Sequence, residues 1–318
     1  MSKPFNPGWR TSLSAVAVAV GLTACGGGGS STPPDPTATA SLRGVAVDGY
    51  LQGASVFLDL NANGILDAGE PNTTTDALGR YGLNVSGDTA GKTLVVSGGI
   101  DTDTGFAFGG VLSARITSPS GQVVSPLTTL LDAMVSQGHA VDVVAAKQKL
   151  ASVLGLSVAQ LEADPVAALS NQPAIYTQAV SLQRAVQLLA KANQAVGESA
   201  YEAQAKAIKA LARTVAAQSS AVDVGTLVAG VDLGSSAQAQ ALANTLSQVV
   251  STSLRSGGHT YAKSSLKAMD EVRKRMEDDD DYDLGRAAKK LDDEHGYISS
   301  KPYQTLVSST SVAAVQTI

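Results

Sequence analysis

"DLNANGILDAGE", Asp59 to Glu70, is the stretch on which the reading of this sequence turns. Counted from Asp59 as position 1, it places Asn61 at 3, Asn63 at 5, Gly64 at 6, Ile65 at 7, Leu66 at 8, Asp67 at 9 and Glu70 at 12. Oxygen-bearing side chains at alternate positions wrap around one point when a glycine permits the sharp turn. A backbone carbonyl at position 7 and a bidentate carboxylate at position 12 then complete a shell of about six to eight oxygens. Calcium accepts such a shell at flexible angles, whereas magnesium wants a tighter octahedron and is served less well by Glu70. No thiolate or imidazole lies in the stretch, which disfavours soft metals. The candidate Ca2+ ligands are therefore Asp59, Asn61, Asn63, the Ile65 carbonyl, Asp67 and Glu70, with Leu66 as the apolar residue that pins the loop to its neighbour. The competing reading is a solvated, Asx-rich turn.

The flanks say what kind of fold carries the loop. "GASVFL" before it is glycine-led and β-branched, and Pro71 follows Glu70 directly, so no ordinary helix runs through that junction. The spacing is that of an EF-hand loop, but the setting predicts strands on both sides. Two of the side-chain ligands are neutral amides, which places the expected affinity in the weak extracellular range, about 10⁻⁵ to 10⁻³ M. Such a site is structural rather than a cytosolic sensor.

Working outward, residues 41–125 have period two. In "RYGLNVS" Tyr81, Leu83 and Val85 share one face; in "VLSARIT" Leu112, Ala114 and Ile116 alternate with Ser113, Arg115 and Thr117. "GVAVDG", "ASVFLDL" and "KTLVVSGG" add β-rich runs, with Gly, Asn and Asp clusters between them, a pattern that predicts an antiparallel sandwich. After Ser125-Pro126 the period changes. Residues 126–258 read as an Ala-rich helical bundle, with Ile175, Ala179, Leu182, Val186 and Leu189 forming one stripe and further helices near 201–215 and 237–254. Residues 259–318 are a charged helical segment and tail, including "MEDDDDYD" and a β-branched end. The expected fold class is α+β in two domains.

The N-terminus reads as a targeting segment. Lys3 and Arg10 precede the apolar run "TSLSAVAVAVG", which has signal-peptide length and is too short to span a bilayer. Leu22-Thr23-Ala24-Cys25 resembles a bacterial lipobox, and Cys25 is the only cysteine among 318 residues. The resemblance implies a signal peptide over 1–24, acylation of Cys25, and a bilayer as partner. Gly26 in place of Asp implies the outer membrane. Residues 25–40 then form the lipidated cysteine and a flexible Gly/Ser/Pro tether. With no second cysteine there is no intramolecular disulfide, which leaves a metal as one source of added stability. A net charge of −5 with no basic stripe disfavours nucleic acid.

"GVAVDGYLQGASVFLDLNANGILDAGEP" followed by "TTTDALGRYGL" resembles the prealbumin-like β-sandwich modules of bacterial surface proteins. These include carboxypeptidase-regulatory-like domains and the calcium-binding B-type repeats of serine-aspartate-repeat adhesins. The resemblance implies a Greek-key sandwich whose loop is made rigid by Ca2+. Asp76 and Gly79 match the turn that precedes a strand in this class, with Asp76 capping the turn. "SGGIDTDTGFAFGGVLSA" with "VSPLTTLLDAM" resembles the passage from such a sandwich into an Ala-rich helical region. Here a single module stands on a lipid anchor, and Lys92, the sole lysine between Ser41 and Ser125, sits too late for the Lys–Asn cross-link of some related sandwiches.

Other chemistry is sparse. His139, His259 and His295 sit at no metal spacing and accompany no nucleophile motif. Ser264-Ser265-Leu266-Lys267 matches S-x-x-K without its companion elements. Asp101 and Asp103 read as a turn in preference to a second ion site, and Asp278 to Asp281 as a solvated like-charge block. The expectation is a non-catalytic envelope lipoprotein, a calcium-stabilised binding, adhesion or assembly module with a protein or glycan ligand. The alternatives are an envelope enzyme with its site in the helical half or at the domain interface, and a plain spacer. An enzyme predicts a concave pocket with convergent polar groups and perturbed titrating residues; a binding module predicts an exposed patch.

Overall fold

The computed structural model describes residues 39–232, 237–256, 269–276, 278–279 and 283–299. Strand β5 (Arg80–Ser86) shows why the first part folds as it does: Tyr81, Leu83 and Val85 are buried while the residues between them are exposed. It pairs antiparallel with β1 (Thr39–Ala46), from Thr39 opposite Ser86 to Val45 opposite Arg80. A second sheet has the order β4 (Asn72–Thr74), β3 (Ser55–Asp59), β6 (Thr93–Ser97), β8 (Val111–Arg115), all antiparallel. Leu42, Tyr81 and Leu83 of the first sheet and Val56, Leu94 and Leu112 of the second lie in one hydrophobic cluster, so the two sheets close over a shared core. Short strands β2 (Leu51–Gln52) and β7 (Ile100–Asp101) form a separate pair.

One pairing departs from the antiparallel expectation. β9 (Gln122–Val124) runs parallel to β1. Only strands joined by a tight hairpin must be antiparallel, and β1 and β9 are the first and last strands of the region. The runs in β3 and β6 are buried without alternation, because their second face is covered as well.

Ser125 ends the strands and starts the helices. Its Oγ accepts from the Thr128 N–H at 3.3 Å, Thr128 Oγ1 accepts from the Ser125 N–H at 2.8 Å, and Pro126 fills the first helical position of α1 (Pro126–Ser136). The boundary read at residue 125 is thus the switch of structure type. It is not a gap in packing: the described residues, from 39 to 299, belong to one compact unit. α2 (Val143–Leu154) is capped by Asp142 and ends at Gly155 with φ +64°. After the short α3 (Val158–Leu161) comes α4 (Pro173–Asn193), buried almost all round, then α5 (Ala200–Ala217) with a Ser199–Glu202 capping box. α6 (Val224–Ala229), α7 (Ala237–Ser256), α8 (269–276) and α9 (Leu284–Ser299) complete the described helices. Met269, Val272, Ala287 and Leu291 join the helical core, so the charged C-terminal region packs on the bundle through α8 and α9.

The edge of β8 faces the helices. The Ser113 N–H donates to Thr129 Oγ1 at 2.8 Å, the Ser113 carbonyl accepts from Thr128 Oγ1 at 3.0 Å, and the Val111 N–H donates to Gln204 Oε1 at 3.0 Å. Side chains of α1 and α5 thereby satisfy backbone groups that an open sheet edge would expose.

Candidate calcium loop and interface cleft

The loop joins β3 to β4, between strands as the flanks require. Its ends are buried and its middle is exposed: Asp59 and Glu70 are each 7% exposed. Asp59 accepts from the Asn63 N–H at 3.3 Å and the Gly64 N–H at 2.7 Å, with Gly64 at φ +72°. Glu70 accepts from the Leu60 N–H at 2.7 Å and the Asp67 N–H at 3.0 Å. Asn61 Oδ1 accepts from the Asn63 N–H at 3.1 Å, and Asn63 Oδ1 from the Ile65 N–H at 2.8 Å. The amides of Asn61 and Asn63 both donate to Asp67 Oδ2, at 2.7 and 2.8 Å. Positions 3, 5 and 9 therefore meet, and positions 1 and 12 are fixed by backbone N–H groups.

This donor set fits a hard cation. Every assigned ligand offers oxygen, and an amide oxygen that accepts one N–H keeps a second lone pair. Among the described residues no group of three or more His, Cys, Asp or Glu is placed to hold a metal. Asp59, Asp67 and Glu70 each take their own donors: backbone N–H groups at Asp59 and Glu70, and the Asn61 and Asn63 amides at Asp67. Leu66 does not pin the loop: it is 40% exposed and joins neither core. A loop between two paired strands has no partner loop to pack on. Ala62 sits at φ +61°, in the left-handed region, inside the same turn.

One wall of a cleft of about 850 Å³ is made by this loop, through Asp59, Leu60, Asn63 and Gly64. β6 and β8 supply a second wall, α1 and α5 the third. Tyr201 of α5 stands directly against Gly64, where any Cβ would overlap its ring. Burial, with the charges of Asp59 and Asp132 behind it, pushes the Tyr201 phenol up. Asp132 sits at the cleft with Arg115 Nε at 3.0 Å, Ser113 Oγ at 2.9 Å and Thr93 Oγ1 at 3.3 Å. Burial raises its pKa against the opposing effect of Arg115 and these hydroxyls.

A second polar cluster is largely buried. Arg184, at the centre of α4, pairs with Asp48 through Nη1, with Asp101 at 2.6 Å and with Asp270 at 3.1 Å. Arg273 stands 3.6 Å from Asp270, and Tyr176 hydrogen-bonds Asp103. Three carboxylates from three segments share one guanidinium. Burial above all, with repulsion from Asp101 and Asp270, pushes Asp48 up to about 8 against the pull of Arg184. Asp270 is raised by burial as well. Asp101 also anchors the turn read from sequence, accepting from the Asp103 N–H at 2.9 Å and Thr104 Oγ1 at 3.1 Å.

Comparison with family models, curated proteins and solved structures finds no match for this chain. The site is therefore read from its own residues. Asp76 caps its turn as expected, accepting from the Leu78 and Arg80 N–H groups at 2.8 and 2.9 Å, which hold its carboxyl below the usual range. His139 lies just beyond the end of α1. Cys25, His259 and the Ser264–Lys267 stretch lie outside the described residues, as does the side chain of His295. No helix of the described residues is long and apolar enough to cross a membrane. Sequence reasoning missed the Arg184 cluster and the cleft. Their residues come from segments far apart in the chain, and the sole local signal was an arginine inside an apolar helix.

Proposed function

We propose that this chain is an outer-membrane lipoprotein, anchored through acylated Cys25, whose prealbumin-like sandwich is stabilised by calcium in the Asp59–Glu70 loop and which acts by binding rather than catalysis. The carrying observation is the loop itself: six oxygen donors at the required spacing, closed on themselves between two strands, with Asp59 and Glu70 buried at its ends. In this reading Asp59, Asn61, Asn63, the Ile65 carbonyl, Asp67 and Glu70 hold the ion. The sandwich and the Ala-rich bundle act as two domains across a polar seam.

Calcium binding to the folded state alone stabilises it by RT ln(1 + [Ca]/Kd), about 2.7 kcal/mol at a hundredfold excess. The test is calorimetric titration and thermal melting of the chain from Ser31 onward, which retains the compact unit, against Asp59→Ala and Glu70→Ala. One site and a raised melting temperature in the wild type alone support the reading. Identical behaviour of all three proteins makes the loop a polar turn and removes calcium from the account.

The cleft favours a second reading, an envelope enzyme working at the interface, since Asp132 is a half-buried carboxyl whose pKa is raised in a concave site. Its Arg115 partner and three hydroxyl contacts suit a fixed structural carboxylate better than a proton-transfer group.

A further inference from the structure

The cleft beside the loop carries an inference that sequence alone did not. At about 850 Å³ it lies within the range of small-molecule sites. Charge decides what kind of molecule suits it. Cations and carboxylates line it in equal number, and the carboxylates are already satisfied. Asp132 holds Arg115 at 3.0 Å, and Glu198 holds Lys206 at 2.5 Å. Asp59 is engaged by backbone N–H groups, and Glu202 by the Ser199 N–H at 2.9 Å and hydroxyl at 2.8 Å. Lys92 and Lys209 bring the cations level with Asp59 and Glu202, so no field of one sign selects a phosphate or a polycation.

What remains is a dense mixture of hydroxyl and amide groups, from Thr93, Ser113, Ser136 and Gln137, interleaved with the apolar surfaces of Val111 and Ile208. The Thr93, Ser113 and Ser136 hydroxyls donate to Asp132 and keep acceptor lone pairs that a purely apolar ligand would leave without donors, at a cost. A ligand that is itself rich in hydroxyls, neutral, and apolar on its C–H faces satisfies both kinds of surface. Tyr201 adds an aromatic body to the lining, with its hydroxyl toward Gly64. We infer that the cleft binds a neutral, hydroxyl-rich ligand, a short oligosaccharide, between the sandwich wall and helix α5.

This rests on the binding reading in one respect: the bound sugar is retained, not cleaved. The experiment is saturation-transfer NMR of the chain from Ser31 onward with cellotriose, chitotriose, maltotriose and mannotriose, beside trigalacturonate and ATP as acidic probes. Transfer from at least one neutral sugar is expected, with affinity falling about tenfold or more when Ala205→Trp fills the cleft from α5. Val111→Trp fills it from β8 and serves if the first variant melts abnormally. Silence from every neutral sugar, transfer from the acidic probes alone, or binding untouched by both fillings overturns the inference and leaves the calcium reading standing. Appearance of shorter sugars overturns the binding reading and leaves the ligand class standing.

Discussion

Asp48→Asn tests the buried cluster most sharply. Asp48 is 1% exposed and held by burial up to about 8, against 3.8 for an ordinary aspartate. Between those values the folded protein holds about one more proton than the unfolded chain at this residue. Stability supplied by the group is full below the unfolded value and is lost as pH rises through the folded one, by about 1.4 kcal/mol per pH unit. At pH 7 the accumulated cost of keeping Asp48 protonated is on the order of 4 kcal/mol. Asparagine is neutral at every pH and escapes that cost, while its amide meets a position where Asp48 Oδ1 has no hydrogen-bond partner, which costs about 1 to 3 kcal/mol. The net expectation is a gain of about 1 to 3 kcal/mol near neutral pH. The slope of stability against pH should flatten by about one proton, leaving the similarly signed contributions of Asp270 and Asp132. Urea denaturation of wild type and variant from about pH 5 to pH 8 measures both. An unchanged slope, or a loss of several kcal/mol, would mean that Asp48 is ionised and needed to balance Arg184, and the reasoning would fail.

Two further outcomes follow from the same contacts. Arg184→Met should destabilise by about 3 to 5 kcal/mol, because it strands the Asp101 and Asp270 carboxylates without their cation; adding Asp101→Asn should recover part of that loss in chemical denaturation. Gly64→Ala should cost at least about 1 to 2 kcal/mol, since φ is +72° and the new Cβ overlaps Tyr201; a Tyr201→Ala background should relieve the overlap but not the backbone strain, as a double-mutant cycle on melting would show.

What was legible in the sequence was whatever is local. Alternation in "RYGLNVS" places Tyr81, Leu83 and Val85 inside, and Ser125-Pro126 marks the switch to helix because a cap and a proline act on their own turn. The loop's position between strands followed from Pro71 and the β-branched run before it. The stripe from Ile175 to Leu189 gave one face of α4 but not the opposite one, where Gln183, Arg184 and Gln187 are buried too. Periodicity reports which residues avoid water and is silent on polar residues that find partners elsewhere. Leu66 failed as an anchor for a related reason: position 8 matters where two loops meet, and here there is one hairpin.

The two-domain expectation and the single compact unit are reconciled by where the apolar surface goes. The strands and the helices keep separate hydrophobic cores, one from Leu42 to Val124 and one from Leu127 to Leu291. What joins them is polar: Arg184 to Asp48 and Asp101, Tyr176 to Asp103, the Thr128 and Thr129 hydroxyls to the edge of β8, and Gln204 to Val111 and Gly109. An apolar seam would slide at little cost. A seam of directional bonds fixes one register, because each displaced pair leaves a buried donor, acceptor or charge unsatisfied. That fixed register holds α5 against the Asp59–Glu70 loop and keeps the cleft between them open. The same contacts that make the halves one unit thereby set the geometry of the candidate site.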